Sequence, residues 1–218
     1  TLPPLSNRER LPELLNGLQL RGDGAEVGVN RGRFSTLLLN QWRGRKLHCV
    51  DLWGEYRDYS SGMNSPSRLS AAFNATVQAL SRFPSERYAI HRGTSTDRAA
   101  DFADGALDFA YIDANHQQSY VAADLAAYYP KVRPCGLIAG DDLFLREPVN
   151  GVRRALLDFA LAHGLPVFTT PLNHRRGYCA LEPDEHAPSS HASARPRSSA
   201  SRCPAAPSPS PAAARACE

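Results

Sequence analysis

Apolar residues recur along this chain with two alternating spacings, and the alternation predicts the fold. Helical spacing at Leu11, Leu14, Leu15 and Leu18 predicts a first helix over residues 6–20, weakened by Gly17 near its end. Short apolar runs predict strands at 24–29, 46–52, 87–91, 106–113 and 136–139. Between them, helical patterns cover 33–42, 67–82, 95–102, 118–129 and 151–163. Two further runs, 166–170 and 177–181, lack a helix between them and predict an antiparallel pair. Strands that alternate with helices predict an α/β fold, a doubly wound, mostly parallel sheet of seven strands with an antiparallel last strand.

Chemistry enters where the first strand meets its helix. Ala25-Glu26-Val27-Gly28-Val29-Asn30-Arg31-Gly32-Arg33-Phe34-Ser35 reads as strand, glycine turn and helix, the unit whose ligand sits beyond the strand's carboxyl end. A dinucleotide turn would read Gly-x-Gly-x-x-Gly and aim helix N–H groups at a pyrophosphate. This one reads Glu-x-Gly-x-x-x-Gly. A carboxylate at that lip repels phosphate and attracts an ammonium or sulfonium ion, so the turn suggests S-adenosylmethionine (SAM). Asp51 ends the second strand, 25 residues after Glu26, where an acidic side chain in such sheets accepts hydrogen bonds from a ribose diol or caps the next segment. Trp53 follows and either covers an adenine or packs in the core.

A second group lies at later strand ends. Asp113 ends the fourth strand, and Asp141-Asp142 follow the fifth, so the sheet brings three carboxylates to one rim. Three such charges repel unless a cation sits among them, and hard oxygen ligands suit Mg²⁺. The plainer reading is that they cap or order their loops. His116, three residues past Asp113, is placed to take a hydroxyl proton, or is an ordinary surface imidazole. Tyr56, Tyr59, Met63 and Asn64 fall in a polar stretch, 54–66, that reads as a lid over an acceptor or as simple surface.

Composition limits the alternatives. The net charge of +3 is small and its Lys and Arg are scattered, which argues against a nucleic-acid partner. No apolar run reaches the length of about 18 residues that would span a bilayer. The five cysteines are widely spaced with no C-x-x-C pair, and read as reduced thiols in a cytoplasmic or other reducing compartment. From Pro183 onward the chain is Pro, Ala, Ser and Arg, a composition expected to be disordered, so residues 1–182 form the domain and 183–218 a tail.

Five segments together resemble small class I SAM-dependent methyltransferases: the Glu26–Ser35 turn, Val-Asp-Leu-Trp-Gly, Gly-Thr-Ser, Tyr-Ile-Asp-Ala-Asn-His-Gln-Gln-Ser-Tyr and Gly-Leu-Ile-Ala-Gly-Asp-Asp. The nearest group carries Tyr-Ile-Asp-x-x-His and Asp-Asp segments, and catechol O-methyltransferase is similar at greater distance. The resemblance spans about 22–181. It implies that Glu26, Gly28, Asn30 and Gly32 hold the methionine part of SAM, with Asp51 and Trp53 at the nucleoside, Ser95 near the adenine and Asp113 beside the cofactor. It further implies Asp113, Asp141 and Asp142 as metal ligands, where the catechol enzymes have two Asp and an Asn. His116 stands where those enzymes have a Lys base, and Cys135-Gly136 replaces the usual Gly-Gly. The function implied is methyl transfer to an oxygen of a small molecule, assisted by a divalent ion. An NAD-linked oxidoreductase and a catalytically silent interaction protein are the alternatives.

Overall fold

The computed structural model describes residues 8–56, 65–143, 151–169 and 179–181. The expected tail and the loop residues Tyr59, Met63 and Asn64 lie outside that set. A 3-10 turn, Arg8–Arg10, leads into α1 (Leu11–Gly17). Then follow β1 (Asp23–Val27), α2 (Arg33–Gln41), β2 (Lys46–Asp51), α3 (Pro66–Leu80), β3 (Tyr88–Arg92) and α4 (Ser95–Ala99). The chain continues with β4 (Leu107–Ile112), α5 (Gln118–Tyr128), β5 (Val132–Gly140), α6 (Val152–His163), β6 (Val167–Thr169) and β7 (Cys179–Leu181).

The strands form one sheet in the order β3-β2-β1-β4-β5-β7-β6. Pairings from β3 to β5 are parallel, and β7 runs antiparallel to both β5 and β6. After β1 the chain winds outward through β2 and β3, then returns to add β4 on the other flank. The boundary between β1 and β4 is therefore the switch point, where such sheets open a crevice at their carboxyl ends.

β4 lies near the middle of the sheet, and all six of its residues are buried. From Phe109 onward its side chains alternate between two cores, and a register shift puts Leu107 with the first. Leu107, Ala110 and Ile112 face α5 and α6 through Val121, Leu125, Val152 and Leu156, while Phe109 and Tyr111 face α1 and α2 through Leu11, Leu15, Phe34 and Leu38. This alternation is why a strand covered on both faces reads as a continuous apolar run.

β5 begins earlier than the sequence predicts. Arg133-Pro134-Cys135 has the composition of a turn, yet the strand runs through it with a register shift against β4 between Leu107 and Phe109. Cys135 takes φ +62°, and a Cβ on Gly136 would lie 2.6 Å from the Asp108 carbonyl oxygen. The irregularity is a local bulge that only a glycine there permits. Cys49 is a free, buried thiol as expected, but Cys135 is disulfide-bonded, which departs from five reduced cysteines. Among the described residues no helix is long and apolar enough to cross a membrane.

Trp42 closes the core beneath α1. It is 2% exposed, its ring meets Phe109 edge-on at 4.9 Å, and its indole N–H donates to the Leu20 carbonyl at 2.6 Å. Trp42→Ala should destabilise the domain by about 3–5 kcal/mol in urea denaturation. A loss under about 1 kcal/mol would remove Trp42 from the set of residues that hold this core.

Candidate functional site

Gly28 begins the turn after β1 at φ +99°, a conformation that disfavours side chains. Space forbids one as well: a Cβ there would lie 2.1 Å from the backbone oxygen of Asp113. The Gly28 N–H donates to the Val50 carbonyl at 2.8 Å, and the Asp113 N–H to the Val27 carbonyl at 2.7 Å. The ends of β1, β2 and β4 are thus tied around one glycine. Gly32, at φ +70°, sits directly before α2 with Thr76 of α3 against it.

Asp51 organises the same turn. Its Oδ2 accepts from the N–H groups of Val29 (2.9 Å) and Asn30 (2.7 Å), and its Oδ1 from that of Trp53 (2.7 Å). Burial pushes its pKa up, and the three N–H groups oppose that shift. Oδ2 already accepts two bonds, but Oδ1 accepts only one, so the side chain can brace the turn and still accept from a ligand hydroxyl through Oδ1. Asn30 and Trp53 both adopt positive φ, +53° and +39°. The Trp53 indole N–H donates to the Asn30 carbonyl at 2.8 Å, its ring packs on Phe73, and 2% of the residue is exposed. Of its two expected places, the core is the one Trp53 occupies in this structure. Ser95 opens α4, and its hydroxyl donates to the buried Asp124 of α5. Burial pushes the Asp124 carboxyl up to about 6.

Glu26 corrects one part of the sequence argument. It is 1% exposed, accepts from the Ser35 hydroxyl, and burial pushes its pKa up to about 8. Nearby Asp113 and Asp51 push in the same direction. Glu26 is therefore mostly neutral at pH 7, and the negative charge at this lip comes from the other carboxylates. A cation placed beside it would draw its pKa back down.

Two of those other carboxylates, Asp113 and Asp142, meet around His116. Asp113, His116 and Asp142 bring one potential ligand atom each to within 4.8 Å of one another. Nε2 of His116 lies 3.4 Å from Asp113 and 3.2 Å from Asp142. The hydrogen bond with Asp113 raises the His116 pKa, with Asp142 adding to it. The loop carrying His116 is pinned from the far side: its carbonyl accepts from the Gly151 N–H at 2.7 Å, where a Cβ would collide with Gln118. Asp142 takes φ +62°.

Asp141 faces elsewhere. Its Oδ1 accepts from the Asp142 N–H, and its Oδ2 accepts from Nη1 of Arg8 at 2.8 Å. The same Nη1 lies 3.2 Å from Asp113. Among the described residues, the cation between these two carboxylates is thus a guanidinium. Sequence reasoning missed Arg8, because nothing local marks a contact 133 residues away. Asp113 and Asp142 offer hard oxygen donors that fit a divalent ion, with the His116 imidazole beside them.

Glu26→Gln tests the buried carboxyl. A folded-state pKa raised to about 8 means that burial costs nothing below the ordinary value of 4.5 and progressively more as pH rises through about 8. Wild-type stability should fall across that window, and the Gln variant should lack this component in denaturant titrations at pH 5 and 9. Equal pH slopes in the two proteins would show that Glu26 ionises freely in the fold.

Comparison with known proteins adds an independent line. A family model described as a methyltransferase domain matches residues 25–143, more than half of the chain. No curated protein matches. Among solved structures, a cofactor-bound protein from MTB, Rv0187, is 17% identical with a TM-score of 0.59, covering 84% of each chain. A Staphylococcus aureus protein described as a caffeoyl-CoA O-methyltransferase is 14% identical, with a TM-score of 0.60 over 82% of this chain and 85% of its own. A Streptococcus thermophilus rRNA methylase is 11% identical, with a TM-score of 0.55 over 77% and 92%. At these identities the structural likeness concerns the fold. With a glycine turn at the switch point, acidic strand ends beside it and a family match across both, the chain belongs to the methyltransferase-domain family and has the fold of class I SAM-dependent methyltransferases.

Proposed function

We propose that this methyltransferase transfers the methyl group of SAM to an oxygen of a small molecule, with a divalent ion at the acidic rim. The observation that carries this reading is the convergence of Asp113, His116 and Asp142 one strand away from the Gly28 turn. A donor at the turn and an acceptor at the rim would then meet at the β1/β4 crevice.

Asp113 and Asp142 would hold the ion, with Asp141 beside them. When bound, the ion supplies a Lewis acid that lowers the pKa of an acceptor hydroxyl. SAM supplies a methyl already activated by its sulfonium charge, so the chain's own task is alignment. Glu26, Gly28, Asn30 and Gly32 would seat the methionine end, Asp51 would accept from the ribose, and Trp53 and Ser95 would border the nucleoside. Nε2 of His116 would take the hydroxyl proton. The acceptor oxygen forms its bond to the methyl carbon as the carbon–sulfur bond breaks, and the electron pair stays on sulfur. In the resting site, Asp113 and Asp142 hold His116 toward its protonated form, which is the wrong state for a base. Positive charge on those carboxylates would lower its pKa and restore the acceptor lone pair.

A methyl-transfer screen with labelled SAM against catechols, glycosides and small hydroxy acids, with and without Mg²⁺, tests the reading directly. EDTA and Asp142→Ala should each cut turnover by at least about a hundredfold while leaving S-adenosylhomocysteine binding intact. Turnover unchanged in EDTA would leave a metal-free transfer. His116→Gln should lower kcat by about 10²–10⁴-fold with little change in cofactor affinity, and should flatten the acid limb of the pH–rate profile. An acid limb preserved in that variant would exclude His116 as the base.

A further inference from the structure

We propose that Arg8 is a cofactor-binding residue that receives the α-carboxylate at the methionine end of SAM. This rests on the reading that SAM lies at the Gly28 turn, and it adds a residue from outside every motif the sequence offered.

Charge makes the case first. The rim bears Asp113, Asp141 and Asp142, and Glu26 beside it is mostly neutral at pH 7. An amino-acid end brings an ammonium group, which such a rim welcomes, and a carboxylate, which it repels. Docking that end therefore requires a donor of opposite charge close to the acids. Arg8 places a guanidinium there, with Nη1 at 3.2 Å from Asp113 and 2.8 Å from Asp141.

Its surroundings also fit a receptor. The guanidinium lies over the Phe34 ring, 5.5 Å from its centroid, so it spans the first turn of α2 and the rim. Those are the two walls between which a methionine end at the Gly28 turn would lie. Burial works against the charge of Arg8, and the nearby carboxylates of Asp141 and Asp113 hold it protonated. A guanidinium has five donors, and among the described residues the two acids engage Nη1 alone. The side chain is 28% exposed, within reach of an incoming ligand. Arg8 opens the turn that enters α1, where Leu11 and Leu15 are fully buried. A planar donor fork is suited to a carboxylate.

The opposite role is a plug. In that case Arg8 would occupy the acids and have to be expelled when the cofactor binds.

Calorimetric titration of wild type, Arg8→Gln and Arg8→Lys with two probes separates these possibilities. S-adenosylhomocysteine carries the amino-acid end, and 5′-methylthioadenosine lacks it. Arg8→Gln should bind S-adenosylhomocysteine about ten- to a hundredfold more weakly, the loss of a charged hydrogen bond, while its affinity for methylthioadenosine is unchanged. Arg8→Lys should lie between. Equal weakening of both probes would mean that Arg8 acts on the shape of the site and would overturn the proposal. Unchanged affinity for S-adenosylhomocysteine would overturn it too, and tighter binding in Arg8→Gln would identify a plug. A wild type that binds neither probe would bring down the SAM reading itself, and the role of Arg8 with it. Thermal melts of the variants keep loss of fold distinct from loss of a contact.

Discussion

The site depends on how closely the backbone after β1 approaches the backbone after β4. With hydrogen in place of a side chain, Gly28 lies against the Asp113 carbonyl, where a Cβ would come to 2.1 Å. That contact sets the width of the crevice and fixes Asp113 relative to the turn. The N–H groups of Gly28 and Asp113 complete the tie by donating to Val50 and Val27. Asp51 then gathers three N–H groups of the turn and of the chain leaving β2. The positive φ angles of Asn30 and Trp53 persist because these bonds over-determine the backbone around them. Strain of this kind marks a place where shape matters more than local ease.

A rim of carboxylates in a partly dry crevice needs compensation, and the structure provides it in three ways. Glu26, the most deeply buried of them, keeps its proton. Asp141 and Asp113 share the guanidinium of Arg8, and Asp113 and Asp142 flank His116. Each device is reversible in the presence of a cation. On the proposed reading, a positive ligand would draw off the proton of Glu26 and a divalent ion would take over the charge that His116 supplies. The resting site is thus balanced with groups that a cationic ligand can substitute.

Most of the fold was legible in the sequence because strand and helix have distinct periods here. The predicted edges of β1, α2, β2, β3, α5 and α6 fall within one or two residues of the observed ones. β5 was read too short because Arg133-Pro134-Cys135 looks like punctuation, and a bulge hides the strand within it. Within the site, Gly28, Asp51, Asp113, His116, Asp141 and Asp142 were legible because each stands at a strand end or on a spaced motif. Which partner each side chain chooses was not. Asp141 turns to Arg8, a contact across 133 residues of sequence, and His116 joins Asp113 and Asp142 where the ends of β4 and β5 meet, choices made by tertiary approach. The charge state of Glu26 was misread for a related reason: a sequence shows that a carboxyl is present but not how dry its pocket is.

The corrected charge of Glu26 changes the argument for which ligand the turn selects. A lip that was permanently anionic would reject phosphate by repulsion alone. With a neutral, buried carboxyl the opposition comes instead from Asp51, which already takes the Val29 and Asn30 N–H groups of the turn. A pyrophosphate there would have to compete with a carboxylate for the same donors and face Asp113 across the crevice. A sulfonium faces no such competition. It needs no hydrogen bond, gains from every nearby carboxylate, and can expel the Glu26 proton as it arrives. On the proposed reading, selection for a cationic donor would follow from occupied donors and a displaceable proton, without a fixed charge at the glycine turn.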